Sequence, residues 1–110
     1  MVNIIKPTKK TNLSHISNVE NSNVSYVKSG NIVQVMGEFS VVTAIPRGSM
    51  SVVFSGLPYT ENSFWIYIQV SGENKQTDVY RMYMNETELC QYYTSIPVGT
   101  YSILFTYICN

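Results

Sequence analysis

The chain is short of charge. Only 13% of its 110 residues are Asp, Glu, Lys or Arg, and the formal net charge is zero. Soluble domains usually carry about 25%. Nucleic-acid binding draws most of its affinity from phosphate contacts, so a neutral chain of this kind is not expected to bind DNA or RNA. Lys6, Lys9 and Lys10 fall in the first ten residues with no acid among them. They read as a solvated basic arm. Catalytic groups are equally scarce. His15 is the one histidine and Asp78 the one aspartate, whereas a nucleophilic triad needs a base held within hydrogen-bond reach. His15 sits in a poorly patterned stretch, a weak platform for such a site. The other carboxylates weighed for paired acid–base chemistry are Glu38, Glu61, Glu73, Glu86 and Glu88. Glu86 and Glu88 look like a solvated turn, with no apolar surround to raise one pKa. The chain is therefore not expected to be an enzyme.

Cysteine is nearly absent too. Cys90 and Cys109 are not spaced as a CxxC pair, and two ligands cannot close a tetrahedral zinc site. Both lie in strand-like runs and read as buried free thiols, with a disulfide left open. Phosphate loops, dinucleotide fingerprints and zinc signatures are missing, so no metal or cofactor is expected. No apolar run approaches the ~20 residues of a membrane helix, which argues against membrane insertion. Met1 to Ile5 is too short for the apolar part of a signal peptide, so synthesis in the cytoplasm without one is expected.

What is abundant is Ser, Thr, Asn and aromatic side chains: nine Tyr, four Phe and one Trp. Aromatic and β-branched residues suit a pleated surface. Residues 1–22 are polar and unpatterned and read as an extended arm, or a neck or linker. Residues 23–110 read as one β domain. Val24 to Lys28 predicts a strand, Ser29-Gly30-Asn31 a turn, and Ile32 to Thr43 a long strand with Val33, Val35, Phe39 and Val41 on one face. Gly37, within that strand, predicts a bulge or a close approach. Further strands are expected at Met50 to Phe54, closed by Ser55-Gly56-Leu57-Pro58, and at Phe64 to Ser71. A polar loop follows from Gly72 to Thr77. Val79 to Met84 and Glu88 to Tyr93 predict a hairpin across Asn85-Glu86-Thr87, and Tyr101 to Ile108 the last strand. Helical periodicity is absent. About seven or eight short strands with regular turns predict an all-β, antiparallel β-sandwich, jelly-roll-like in form.

Two stretches match each other. Val42-Thr43-Ala44-Ile45-Pro46-Arg47-Gly48-Ser49-Met50-Ser51-Val52-Val53-Phe54-Ser55 parallels Tyr93-Thr94-Ser95-Ile96-Pro97-Val98-Gly99-Thr100-Tyr101-Ser102-Ile103-Leu104-Phe105-Thr106. Pro fixes φ at the turn and Gly suits its exit. Either a common turn is used twice, or the domain has an approximate internal two-fold.

Strand alternation also composes a surface. With Phe64, Ile66, Ile68 and Val70 inward, Trp65, Tyr67 and Gln69 point outward. With Tyr80, Met82 and Met84 inward, Arg81 and Tyr83 point outward. With Cys90 inward, Gln91 and Tyr93 point outward. Trp65, Tyr67, Gln69, Arg81, Tyr83 and Tyr93 would then share one sheet face. Such a face is a subunit interface, the second inner face of a sandwich, or a sugar-binding surface. Arg81 counts against the core reading.

The run Val24-Ser25-Tyr26-Val27-Lys28-Ser29-Gly30-Asn31-Ile32-Val33-Gln34-Val35-Met36-Gly37-Glu38-Phe39 resembles the opening of C-terminal tip domains of phage and prophage tail fibres. Phe54-Ser55-Gly56-Leu57-Pro58 resembles a later strand-closing segment of the same domains. The resemblance covers about residues 24–108. It implies a β-sandwich at a fibre tip, a homotrimer, and contact with a host cell-surface glycan. It also implies a place in the virion tail fibre, or outside the cell after lysis, with residues 1–22 ending a stem. No site residues transfer, because a scaffold does not fix a function. A structural fibre-capping or assembly domain and a free-standing carbohydrate-binding module remain as alternatives.

Overall fold

The computed structural model of the protein describes residues 7–48, 50–70 and 79–109. They form eight strands: β1 (Thr8–Lys10), β2 (Ser14–His15), β3 (Val19–Glu20), β4 (Ser25–Ser29), β5 (Ile32–Val41), β6 (Ser51–Val70), β7 (Val79–Gln91) and β8 (Gly99–Ile108). All pairings are antiparallel.

The alternation of β5 fixes its place. Val33, Val35, Phe39 and Val41 are buried while Ile32, Gln34, Met36 and Glu38 face out. β4 returns along β5 through Gly30, whose φ of 61° is a left-handed angle that glycine takes without a Cβ clash. On its other side β5 pairs with β8 over its whole length, from Ile32↔Ile108 to Val41↔Gly99. The sheet continues in the order β1-β4-β5-β8-β6-β2, with β3 on β5 and β7 along β6. The β8–β6 junction is brief, Gln69↔Ser102 and Val70↔Tyr101. Beyond it the sheet curls, so that β6 and β7 face β5 and β8 across the core. Rings meet there without backbone pairing: Phe39–Phe54 at 5.0 Å, Tyr80–Tyr101 at 5.7 Å and Phe64–Phe105 at 6.0 Å between centroids. The fold is all-β and sandwich-like, as the strand pattern predicts.

Two turn signals mark bends rather than chain reversals. Ser55-Gly56-Leu57-Pro58 does not close a strand; β6 runs through it to Val70. Nor is Asn85-Glu86-Thr87 a hairpin loop, since β7 is continuous from Val79 to Gln91 and pairs with β6. The register steps from Ser55↔Glu88 to Thr60↔Glu86 and then to Phe64↔Met84, so β6 carries extra residues and bends. Gly56 (φ 88°) and Glu86 (φ 57°) supply the left-handed backbone at that bend. Turn chemistry and bulge chemistry use the same residues. The expected polar loop from Gly72 to Thr77 lies outside the described residues.

The stretch read as an arm is extended but docked. β1 pairs with β4, β2 with β6 and β3 with β5. Leu13 and Val19 are buried, and Leu13 N donates to Val24 O at 2.9 Å. Residues 8–20 thus share the core of the domain that the sequence pattern begins at residue 23. Strands of two or three residues show no periodicity, so composition alone marked this segment as polar.

The two matching turns lie side by side. Ile45 and Ile96 form an antiparallel bridge, each amide donating to the other's carbonyl at 2.9 Å. β5 and β6 flank one turn; β7 and β8 flank the other. The strand pairs β5·β8 and β7·β6 exchange under the same rotation. An approximate internal two-fold therefore relates the two strand–turn–strand units, and the bridge sits on its axis. Cys90 and Cys109 are buried and unbridged. Burial, then Glu88, pushes the Cys90 thiol up to about 11.

Tyr107 ties the bend to the opposite layer. Its hydroxyl donates to the Pro58 carbonyl at 2.8 Å, and burial pushes its phenol well above the ordinary range. Tyr107→Phe keeps the ring and leaves that carbonyl unpaired. A loss of about 1–2 kcal/mol is expected, read as a lower urea midpoint with an unchanged m-value.

Candidate aromatic face

β6 and β7 place the outward residues in register. Trp65 stands opposite Tyr83, Tyr67 opposite Arg81, and Gln69 opposite Val79. Directly opposed residues of an antiparallel pair project to the same side. The side chains between them, Ile66, Ile68, Met82 and Met84, are buried. The face lies on the outside of the domain: Trp65 is 38%, Tyr93 53% and Tyr67 63% exposed.

Its residues fall into two groups. The first centres on Trp65. The Arg81 guanidinium carbon lies 4.5 Å from the centroid of the indole, a cation–π contact. Tyr83 packs against Trp65 at 4.9 Å, and Tyr92 stacks on it at 5.7 Å with 14° between planes. Tyr92 also meets Tyr83 at 5.1 Å and Tyr93 at 4.3 Å. The hydrogen bond with Tyr93, and then the closeness of Tyr93 itself, raise the Tyr92 phenol above its ordinary value. The second group is Tyr67 and Gln69. With Ser102, Ile103 and Leu104 they line a shallow recess of about 310 Å³. The Ser102 hydroxyl donates to the Gln69 carbonyl at 3.5 Å. The Tyr67↔Arg81 pair joins the two groups.

Two residues depart from strict alternation. Gln91, expected outward, is fully buried. Its Nε2 donates to Thr94 O at 2.8 Å, while Oε1 finds no partner among the described residues. Tyr92, absent from the expected face, belongs to it. The cause is the end of β7. Leu89, Cys90 and Gln91 are all buried, and Tyr93 adopts φ 61°. The pleat is lost there, so adjacent tyrosines reach the same side. The Tyr92-Tyr93 pair at a strand end was the available signal, since alternation does not extend past the last ladder bond.

The face offers flat rings, one guanidinium, an amide and hydroxyls, the groups that pack on and hydrogen-bond to a polyhydroxylated ring. Among the described residues no group of three or more His, Cys, Asp and Glu side chains could hold a metal ion. His15 is exposed, with Nδ1 3.0 Å from the Ile16 carbonyl oxygen and its ring edge-on to Phe54.

No family model matches the chain, and no curated protein matches it. Among solved structures it is similar to the head domain of lactococcal phage bIL170, from a study of the receptor-binding domains of lactococcal phages. The TM-score is 0.68 at 14% sequence identity, covering 97% of this chain and all of that one (100%). The two share a fold, the one that the strand–turn resemblance to phage fibre tips implies.

Proposed function

We propose that this domain is a phage or prophage tail-fibre tip module that attaches to the host surface, without catalysis, by recognising a saccharide as a homotrimer. One observation carries the reading: the head-domain fold spans 97% of the chain and presents an outward Trp–Tyr–Arg face. Trp65, Tyr83, Arg81, Tyr92 and Tyr93 form the aromatic part of the binding surface. Tyr67 and Gln69 form its recess. In this role the protein belongs to the virion.

Self-association is supported by a second surface. On the outside of β5 and β8, Ile32 opposes Ile108 and Met36 opposes Leu104. Leu104, Ile108 and Ile32 are 67%, 63% and 52% exposed. Tyr, Trp and apolar side chains gathered on one side suit a subunit contact. The same surface favours the second reading, a fibre-capping domain that binds no receptor.

Solution mass and glycan binding test both readings. Light scattering at micromolar concentration should give three times the 12.5 kDa chain mass. An array of bacterial cell-wall oligosaccharides should return a binder. A monomer counts against both fibre readings, and a trimer that binds no glycan favours the capping role.

A further inference from the structure

Tyr93 takes a left-handed backbone angle, φ 61°. Asn12 and Asn21 take similar angles, but a short polar side chain tolerates them and a bulky aromatic one does not. The internal two-fold supplies a control. Val42 holds the corresponding place in the first strand–turn–strand unit and is not among the positive-φ residues. Both units reach the same Ile–Pro turn, and the two turns bridge through Ile45 and Ile96. The turn therefore does not require a left-handed residue at its entry. The angle at Tyr93 is particular to the unit that borders the aromatic face.

Its consequence is a change of side. The ring of Tyr93 lies 4.3 Å from that of Tyr92 and is 53% exposed, at the open margin of the Trp65 cluster. The loop of the other unit holds the backbone there, with Tyr93 N donating to Gly48 O at 2.9 Å. Trp65, by contrast, is 38% exposed and already touches Arg81, Tyr83 and Tyr92. Strain that a fold keeps without a folding need marks a site of function.

We infer that Tyr93 is the specificity-determining platform of the saccharide surface, its ring held toward the ligand by a strained backbone that the Gly48 carbonyl clamps. This rests on the saccharide reading above. Stability and binding then respond in opposite ways to the same substitutions. In an ordinary strand-end position glycine is less stable than alanine. At a left-handed one the order inverts, because only alanine keeps the Cβ clash.

The experiment compares Tyr93→Ala, Tyr93→Gly and Tyr93→Phe by thermal melting and on an immobilised panel of bacterial cell-wall oligosaccharides. Tyr93→Gly should melt about 4 °C above Tyr93→Ala. Both should bind the best wild-type glycan at least about tenfold more weakly, while Tyr93→Phe, which keeps the ring, stays within about threefold. A Tyr93→Gly variant that melts below Tyr93→Ala overturns the strain argument. Undiminished glycan binding by Tyr93→Gly overturns this inference and leaves the saccharide reading intact. A wild-type protein that binds nothing on the panel overturns the saccharide reading, and the ligand role of Tyr93 with it.

Discussion

Gly37→Ala is expected to destabilise the domain by about 3–5 kcal/mol, the largest effect of any single methyl group added to this chain. Gly37 lies in the middle of β5, opposite Ile103, at φ 146°. A Cβ there would meet Val24 Cα at 2.7 Å, Asn23 Oδ1 at 2.8 Å and Asn23 O at 2.9 Å. Two of those atoms are backbone and cannot rotate away. The segment they belong to is tightly held. Asn23 N donates to Glu38 O at 3.0 Å, and Glu38 N donates to Asn23 Oδ1 at 2.6 Å. Val24 is fully buried, and its carbonyl receives the Leu13 amide. Relief of the clash therefore means lifting Asn23 and Val24, losing both bonds to Glu38 and loosening Leu13 in the core. Such a loss takes a large share of the roughly 5–15 kcal/mol that holds a domain together. Urea unfolding checks it, with Gly30→Ala as the control. Gly30 has nothing within 4 Å of its missing Cβ and differs only in its left-handed φ, so about 1–2 kcal/mol is expected. Equal losses at the two positions would show that backbone angle alone, and not the approach of Asn23 and Val24, explains Gly37.

That contact shows how far the sequence carries. Gly37 interrupts an otherwise regular alternation, and a glycine without a turn around it implies something passing close by. The identity of the passing chain was not legible. Asn23-Val24 comes from a segment whose strands are two to three residues long, too short for a period to register. Leu13 and Val19 read as stray apolar residues for the same reason, yet both are in the core. The long strands failed in the opposite direction. Gly56 and Pro58, and Asn85 with Glu86, carry genuine turn chemistry, but β6 and β7 spend it together on one shared bend. Only knowledge that the two segments pair could tell a bulge from a hairpin. The aromatic face followed directly from alternation along Phe64–Val70 and Tyr80–Met84, where the ladder is regular. It failed at Gln91 and Tyr92, where the ladder ends. The matched Ile-Pro-x-Gly turns were legible as a repeat, and their bridge through Ile45 and Ile96 required three dimensions.

Trp65→Ala should weaken attachment to the cognate glycan or host cell by at least about thirtyfold while the domain stays folded. The indole is the hub of the cluster, in ring contact with Tyr83 and Tyr92 and under the Arg81 guanidinium. Its removal deletes the packing that sets the pose of three neighbours at once. Residues in such central positions typically account for 2 kcal/mol or more of binding. The cost to folding is smaller, because Trp65 is 38% exposed and the core beneath it is made by Ile66, Ile68, Met82 and Met84. Arg81→Lys separates geometry from charge. Lysine keeps the positive charge but not the plane that lies over the indole. If the stacked guanidinium orders the face, Arg81→Lys loses about tenfold in binding with little change in melting temperature. If Arg81 serves only as a cation, the lysine variant binds like wild type. Solution mass measured on both variants divides the remaining roles of this face. Loss of the glycan with an intact trimer identifies a binding surface, and dissociation to monomers at unchanged melting temperature identifies a subunit contact. Unfolding of Trp65→Ala would show that the ring contributes to the core despite its exposure, and would move the binding surface to Tyr67, Gln69 and the recess beside β8.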